Sequence, residues 1–206
     1  SEELFYKTLS TQIGIDLDRL NISVLMVDGI GFTTYLNILN SLEIDWILRT
    51  DNDIFKIPKR DEYRFAGVQR CIKYYKEFFN SDEDTEKLLL EHESNLQWSD
   101  TPSPPKENLA SAELIIKELE CYGLYLSNND LENDFFNSPL NSEIIDYFPD
   151  MKEAKIVKAM QKRKATFMFE FLKNNRKSLS KLKDDAIAKP LLECKSIIEI
   201  IQNETD

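Results

Sequence analysis

Three short apolar runs, each closing on acidic residues, constrain this sequence most. Ile22–Val27 (ISVLMV) ends in Asp28-Gly29, and Trp46–Thr50 (WILRT) ends in Asp51-Asn52-Asp53. Gly123–Ser127 (GLYLS) leads into Asn128-Asn129-Asp130-Leu131-Glu132. Short runs of this kind, bounded by turn residues, read as buried strands. Helical spacing lies between and before them. Leu4, Phe5, Leu9 and Ile13 share one side of a helix over residues 1–13. Tyr35, Leu36, Leu39 and Leu42 do the same over 32–42, and ASAELIIKELEC precedes the third run. Strands alternating with helices over short links predict an α/β fold, a parallel sheet flanked by helices.

After Asp53 the alternation breaks. Residues 60–98 read as helical, with Ile72, Tyr75, Phe78 and Phe79 in one stripe, and SDTPSPPKEN (99–108) is a proline-rich loop. The segment 57–108 is too long for a single crossover and is expected to be a helical insertion. It would interrupt a core formed by residues 1–56 and 109–172, with C-terminal helices over 173–206 completing one domain of 206 residues. The insertion either packs locally on the sheet or offers a contact surface to a sister subunit or a partner protein.

Composition removes several classes of function. No run of eighteen apolar residues occurs, so no membrane-spanning helix is expected. SEELFYKTLS lacks the basic and apolar regions of a secretory signal, and Cys71, Cys121 and Cys194 form no CxxC pair. The cysteine pattern favours a reducing cytoplasm. The single histidine, His92, excludes chemistry that needs two; it lies in a polar helical stretch and reads as solvated. Chemistry must then come from carboxylates, lysines and hydroxyls. The net charge of -11 argues against general affinity for nucleic acid, but residues 151–189 hold twelve Lys/Arg against four acids. That tract is either a phosphate-tracking arm or a solvated helix face.

Ligands of parallel α/β sheets sit outside the carboxyl ends of the strands, which is where Asp51, Asp53, Asp130 and Glu132 fall. Carboxylates two apart along an extended chain point to the same side. If the two strands are neighbours, four acids converge, and such a cluster calls for a hard cation, Mg²⁺ or Mn²⁺. A two-metal site of this kind clamps the attacking and leaving oxygens of a phosphodiester. Turn chemistry at Asp51-Asn52-Asp53 and a helix cap at Asp130 are the structural alternatives. Asp28-Gly29-Ile30-Gly31 resembles a phosphate loop, although a tight strand-to-helix turn explains its glycines better.

ISVLMVDGIGFTTYLNIL, WILRTDND and GLYLSNNDLE together resemble the TOPRIM domain of the OLD (overcoming lysogenisation defect) nucleases, and among these the nuclease subunit of Gabija anti-phage systems. The resemblance covers residues 1–56 and about 109–172. It implies a Mg²⁺- or Mn²⁺-dependent endonuclease that nicks or cleaves duplex DNA. Glu2, Asp51, Asp53, Asp130 and Glu132 would be the metal ligands. Asp51, Asp130 and Lys164 would carry catalysis, with Lys164 facing the scissile phosphate and Lys158, Lys162 and Arg163 tracking the DNA backbone. A larger homo-oligomeric assembly is implied, with an ATPase region in the same polypeptide and a helicase-like partner subunit. The family's leading strand, with its Glu-Gly, is absent from these residues, so the fragment alone is expected to be impaired.

Two other classes stay open. A phosphatase of the haloacid-dehalogenase type also sets DxD after a strand, but Ile54-Phe55 stand where Gly and Thr are usual. A non-catalytic assembly or DNA-binding module with vestigial carboxylates is the other.

Overall fold

The computed structural model describes residues 1–27, 29 and 31–205. In chain order the elements are α1 (Glu2–Gln12), α2 (Phe32–Ser41), β1 (Leu48–Thr50), β2 (Ile54–Lys56), β3 (Glu62–Phe65), α3 (Ala66–Phe78), α4 (Glu83–His92), β4 (Gln97–Ser99), α5 (Lys106–Glu120) and β5 (Leu124–Leu126). There follow α6 (Leu131–Phe136), α7 (Asn141–Tyr147), α8 (Glu153–Lys162), α9 (Lys164–Asn175) and α10 (Lys189–Thr205). Two compact units are distinguished, one of residues 1–46 with 131–206, the other of residues 47–130.

The unit of residues 47–130 holds both sheets. β1 and β5 run parallel with Leu48 opposite Leu124 and Thr50 opposite Leu126. Leu48 and Leu124 are buried, which is what draws two such short strands together. The expected strands at 46–50 and 123–127 are thus present and adjacent. β2, β3 and β4 form an antiparallel sheet, with Ile54 opposite Phe65 and Tyr63 opposite Trp98. Reading 60–98 as helical throughout therefore needs correction. Its strands are three or four residues long, too short for a period-2 pattern to stand out, and they are fixed by the stacked Tyr63 and Trp98 rings, 6.2 Å apart. α3, α4 and α5 supply the remaining core, in which Val68, Cys71, Tyr75, Leu89, Ile115 and Leu119 are inaccessible to solvent or nearly so. Asp82 caps α4 by accepting from the Thr85 amide, as an acid-rich helix start requires.

The other unit is helical among its described residues. Phe5, Leu9, Phe135, Ile144, Ile156, Met160, Phe171 and Leu182 are fully buried in one core cluster. Phe135 meets Phe5 and Phe171 edge-on, each at 5.2 Å between ring centres. Ile22–Val27 does not form the first strand expected of it. The stretch is irregular, no other described strand pairs with it, and Leu25 is 62% exposed. Strand propensity is realised only against a hydrogen-bonded neighbour. Gly29 adopts φ +70°, in keeping with a tight turn, whereas Asp28 and Ile30 of the phosphate-loop reading lie outside the described residues. No helix among the described residues is long and apolar enough to cross a membrane.

Candidate metal and phosphate site

The parallel register of β1 and β5 sends both strands toward the same edge, and the chain after each strand is tied to the other. Ser127 N–H donates to Thr50 O at 3.0 Å, and Asn52 N–H donates to Asn129 O at 2.9 Å. The loop bearing Asp51 and Asp53 is therefore stitched to the loop ending at Asp130. The two strands are thus neighbours, which is the condition for these acids to converge. Asp53 is about half exposed and Asp51 and Asp130 are partly buried.

The start of α3 closes over this loop. Ala66 N–H donates to Asp53 O at 2.8 Å. Gly67 lies so close that an added Cβ would stand 2.3 Å from Asp51 O and 2.6 Å from Asn52 Cα, so only glycine fits. One turn on, Arg70 donates through Nη1 to the buried Thr50 hydroxyl at 2.5 Å, and its Nη2 lies 3.6 Å from Asp53 Oδ2. Arg49 donates to the equally buried Ser127 hydroxyl at 2.5 Å. Asn52, 3% exposed, keeps an Oδ1 without a donor among the described residues. Arg70 and Gly67 do not stand out in the sequence, because they lie in the segment that reads as an insertion. A glycine at the start of an otherwise regular amphipathic helix, in a chain with five glycines, was the available signal.

The remaining expected residues belong to the helical unit. Glu132 is buried on α6 and pairs with Lys164 Nζ at 2.9 Å, Lys164 being the first residue of α9. Arg163 ends α8 and precedes α9 with φ -133° and ψ 36°, and Lys158, Lys162 and Arg163 are all exposed there. Glu2 sits partly buried in the first turn of α1. Among the described residues no three acids stand close enough together to form a ready metal cage. The donor types are nevertheless those a hard divalent cation takes. Asp51, Asp53 and Asp130 are oxygen donors on one stitched edge, and the buried Asn52 carbonyl lacks a donor, as a water or cation partner would require.

A parallel strand pair ending in acids, among helices, is a mixed α/β arrangement. Residues 1–53 match the overcoming lysogenization defect protein-like TOPRIM domain. The chain is similar to the C-terminal region of the Burkholderia pseudomallei OLD protein, with a TM-score of 0.54 and 18% identity over 96% of this chain and 93% of that one. The corresponding region of the Xanthomonas campestris pv. campestris OLD protein gives 0.53 and 18% over 100% and 92%. These two show the fold. In sequence the chain is 27% identical over 139 residues, 67% of its length, to Endonuclease GajA of Bacillus cereus (strain VD045), of which the match covers 24%. The resemblance is thus to the TOPRIM domains of OLD-family proteins, a nuclease family.

Proposed function

We propose that residues 1–206 are the TOPRIM nuclease domain of a GajA-like, OLD-family DNA endonuclease that cuts or nicks duplex DNA in prokaryotic anti-phage defence. The observation that carries this reading is the Asn52–Asn129 hydrogen bond, which ties the Asp51/Asp53 loop to the Asp130 loop at the carboxyl edge of a parallel strand pair.

Asp51, Asp53 and Asp130 would hold Mg²⁺ or Mn²⁺, and resemblance alone adds Glu2 and Glu132 to the ligands and Lys164 to the scissile phosphate. The ion would supply an acidified water as nucleophile. The chain's own part is to hold carboxylates of like charge at one edge and, through Lys158, Lys162 and Arg163, to offer the DNA backbone exposed cations in an otherwise acidic protein. The family resemblance further implies an ATPase region in the same polypeptide, a homo-oligomer and a helicase-like partner, and cysteines without a CxxC pair suit a cytoplasmic setting.

The test is plasmid nicking by the full-length parent protein with Mg²⁺ or Mn²⁺. Cleavage is expected, abolished by EDTA and by Asp51→Asn. Undiminished cutting by Asp51→Asn overturns the site assignment. The exposed Lys158, Lys162 and Arg163 are equally compatible with a second reading, a non-catalytic assembly or DNA-binding module; a wild type that binds duplex DNA but cuts no supercoiled, linear or single-stranded DNA would favour it.

A further inference from the structure

Arg70 is a largely buried cation beside the acidic edge. Its side chain is only 12% exposed, yet among the described residues no carboxylate holds it at hydrogen-bond distance. One N–H is fixed on the Thr50 hydroxyl at 2.5 Å, and Asp53 lies at 3.6 Å, beyond the 2.7–2.9 Å of a charge-assisted hydrogen bond. A guanidinium has five N–H donors in a rigid fork, and that fork matches phosphate oxygens bidentately. Thr50 is itself 6% exposed, and Gly67 lets the α3 backbone touch Asp51 and Asn52, so the fork is anchored relative to the acidic edge.

We propose that Arg70 is a phosphate-binding residue of this edge, resting near Asp53 until a divalent cation takes that carboxylate, and then holding an oxygen of a phosphodiester. The inference rests on the reading of Asp51, Asp53 and Asp130 as a cation site. It makes the beginning of α3 part of the site, although the sequence reads that helix as inserted. It also fixes opposite signs for two measurable quantities. A positive charge beside Asp53 opposes cation binding, so its removal strengthens it. The same removal costs the phosphate a charge-assisted partner.

The experiment uses the full-length protein with Arg70→Met, Arg70→Lys and, as a surface control, Arg64→Gln on the exposed part of β3. Mn²⁺ affinity is measured without DNA by electron paramagnetic resonance, and DNA affinity by fluorescence anisotropy of a short labelled duplex with Ca²⁺ in place of Mn²⁺. Arg70→Met is expected to bind Mn²⁺ about threefold more tightly and the duplex about tenfold more weakly. Arg70→Lys should recover part of the DNA affinity, and Arg64→Gln should match wild type in both. Weakening of both affinities in Arg70→Met makes Arg70 a structural prop and overturns the proposal, as does DNA affinity equal to wild type. If wild type binds no Mn²⁺, the cation-site reading fails first, and the variants are not needed to show it.

Discussion

Lys164 Nζ lies 2.9 Å from Glu132 Oε2, joining the start of α9 to α6. The pair is asymmetric, with the carboxylate side chain 4% exposed and the lysine 41%. A buried carboxylate depends on its partner far more than an exposed lysine does. Lys164→Met is therefore expected to cost about 2 kcal/mol of stability, below the usual range for a fully buried pair because water reaches the lysine. Lys164→Met/Glu132→Gln should recover most of that loss in thermal melts. If Lys164 also meets the phosphate, neither variant regains nicking activity, and the split between melting and nicking separates the two roles.

Gly67→Ala tests the contact between α3 and the acidic loop. Helix propensity by itself favours alanine by up to about 1 kcal/mol. Here the added Cβ meets Asp51 O at 2.3 Å, so backbone has to move. The expected result is a net loss of about 2 kcal/mol, read as a lower denaturant midpoint, together with weaker Mn²⁺ binding. A stabilised Gly67→Ala protein would show that the loop yields easily.

Acid sensitivity should be traceable to Glu143. Burial by itself pushes this carboxyl up, but hydrogen bonds from Lys181 at 2.5 Å and from Ser142 outweigh it and hold the group down at about 2. A carboxyl depressed in the folded state stabilises the fold above its unfolded value. That contribution is lost as pH falls from about 4.5 toward 2. Glu143→Gln should be less stable at neutral pH and should show a flatter decline across that window in urea titrations. An unchanged slope would count against the Lys181 pair as its cause.

The three thiols should react in a fixed order. Burial pushes Cys71 up to about 12 and Cys194 up to about 11, whereas Cys121 is exposed. The thiolate is the reactive form, so iodoacetamide at pH 8 should label Cys121 first and Cys71 only on unfolding. Peptide mass spectrometry over a time course reads this directly. Early labelling of Cys71 would mean that α3 opens readily.

What could be read from the sequence followed the range of the interactions involved. The strands at 48–50 and 124–126 announced themselves by apolar runs closing on turn residues, and their pairing at Leu48 and Leu124 is present. Ile22–Val27 carried an equally clear local pattern without a described ladder partner, since pairing depends on residues elsewhere in the chain. β3 and β4 were invisible because Glu62–Phe65 and Gln97–Ser99 owe their strand character to Tyr63 meeting Trp98 across 34 intervening residues. At the candidate site, the acids were legible as types at spacings. The Arg70 hydroxyl anchor and the Gly67 close approach required coordinates.

The parallel pairing of β1 with β5 also bears on how this protein comes to be folded. Arg49 and Ser127, which meet at that seam, are 78 residues apart in sequence. Closing so long a loop is entropically slow, whereas the β2–β3 hairpin and α3 need only near neighbours. On the ribosome, the Asp51 loop emerges well before its counterpart at Asp130. The acidic edge is therefore among the last features of its unit to form, and between the emergence of Asp51 and that of Asp130 the nascent chain carries the first acids without their counterpart.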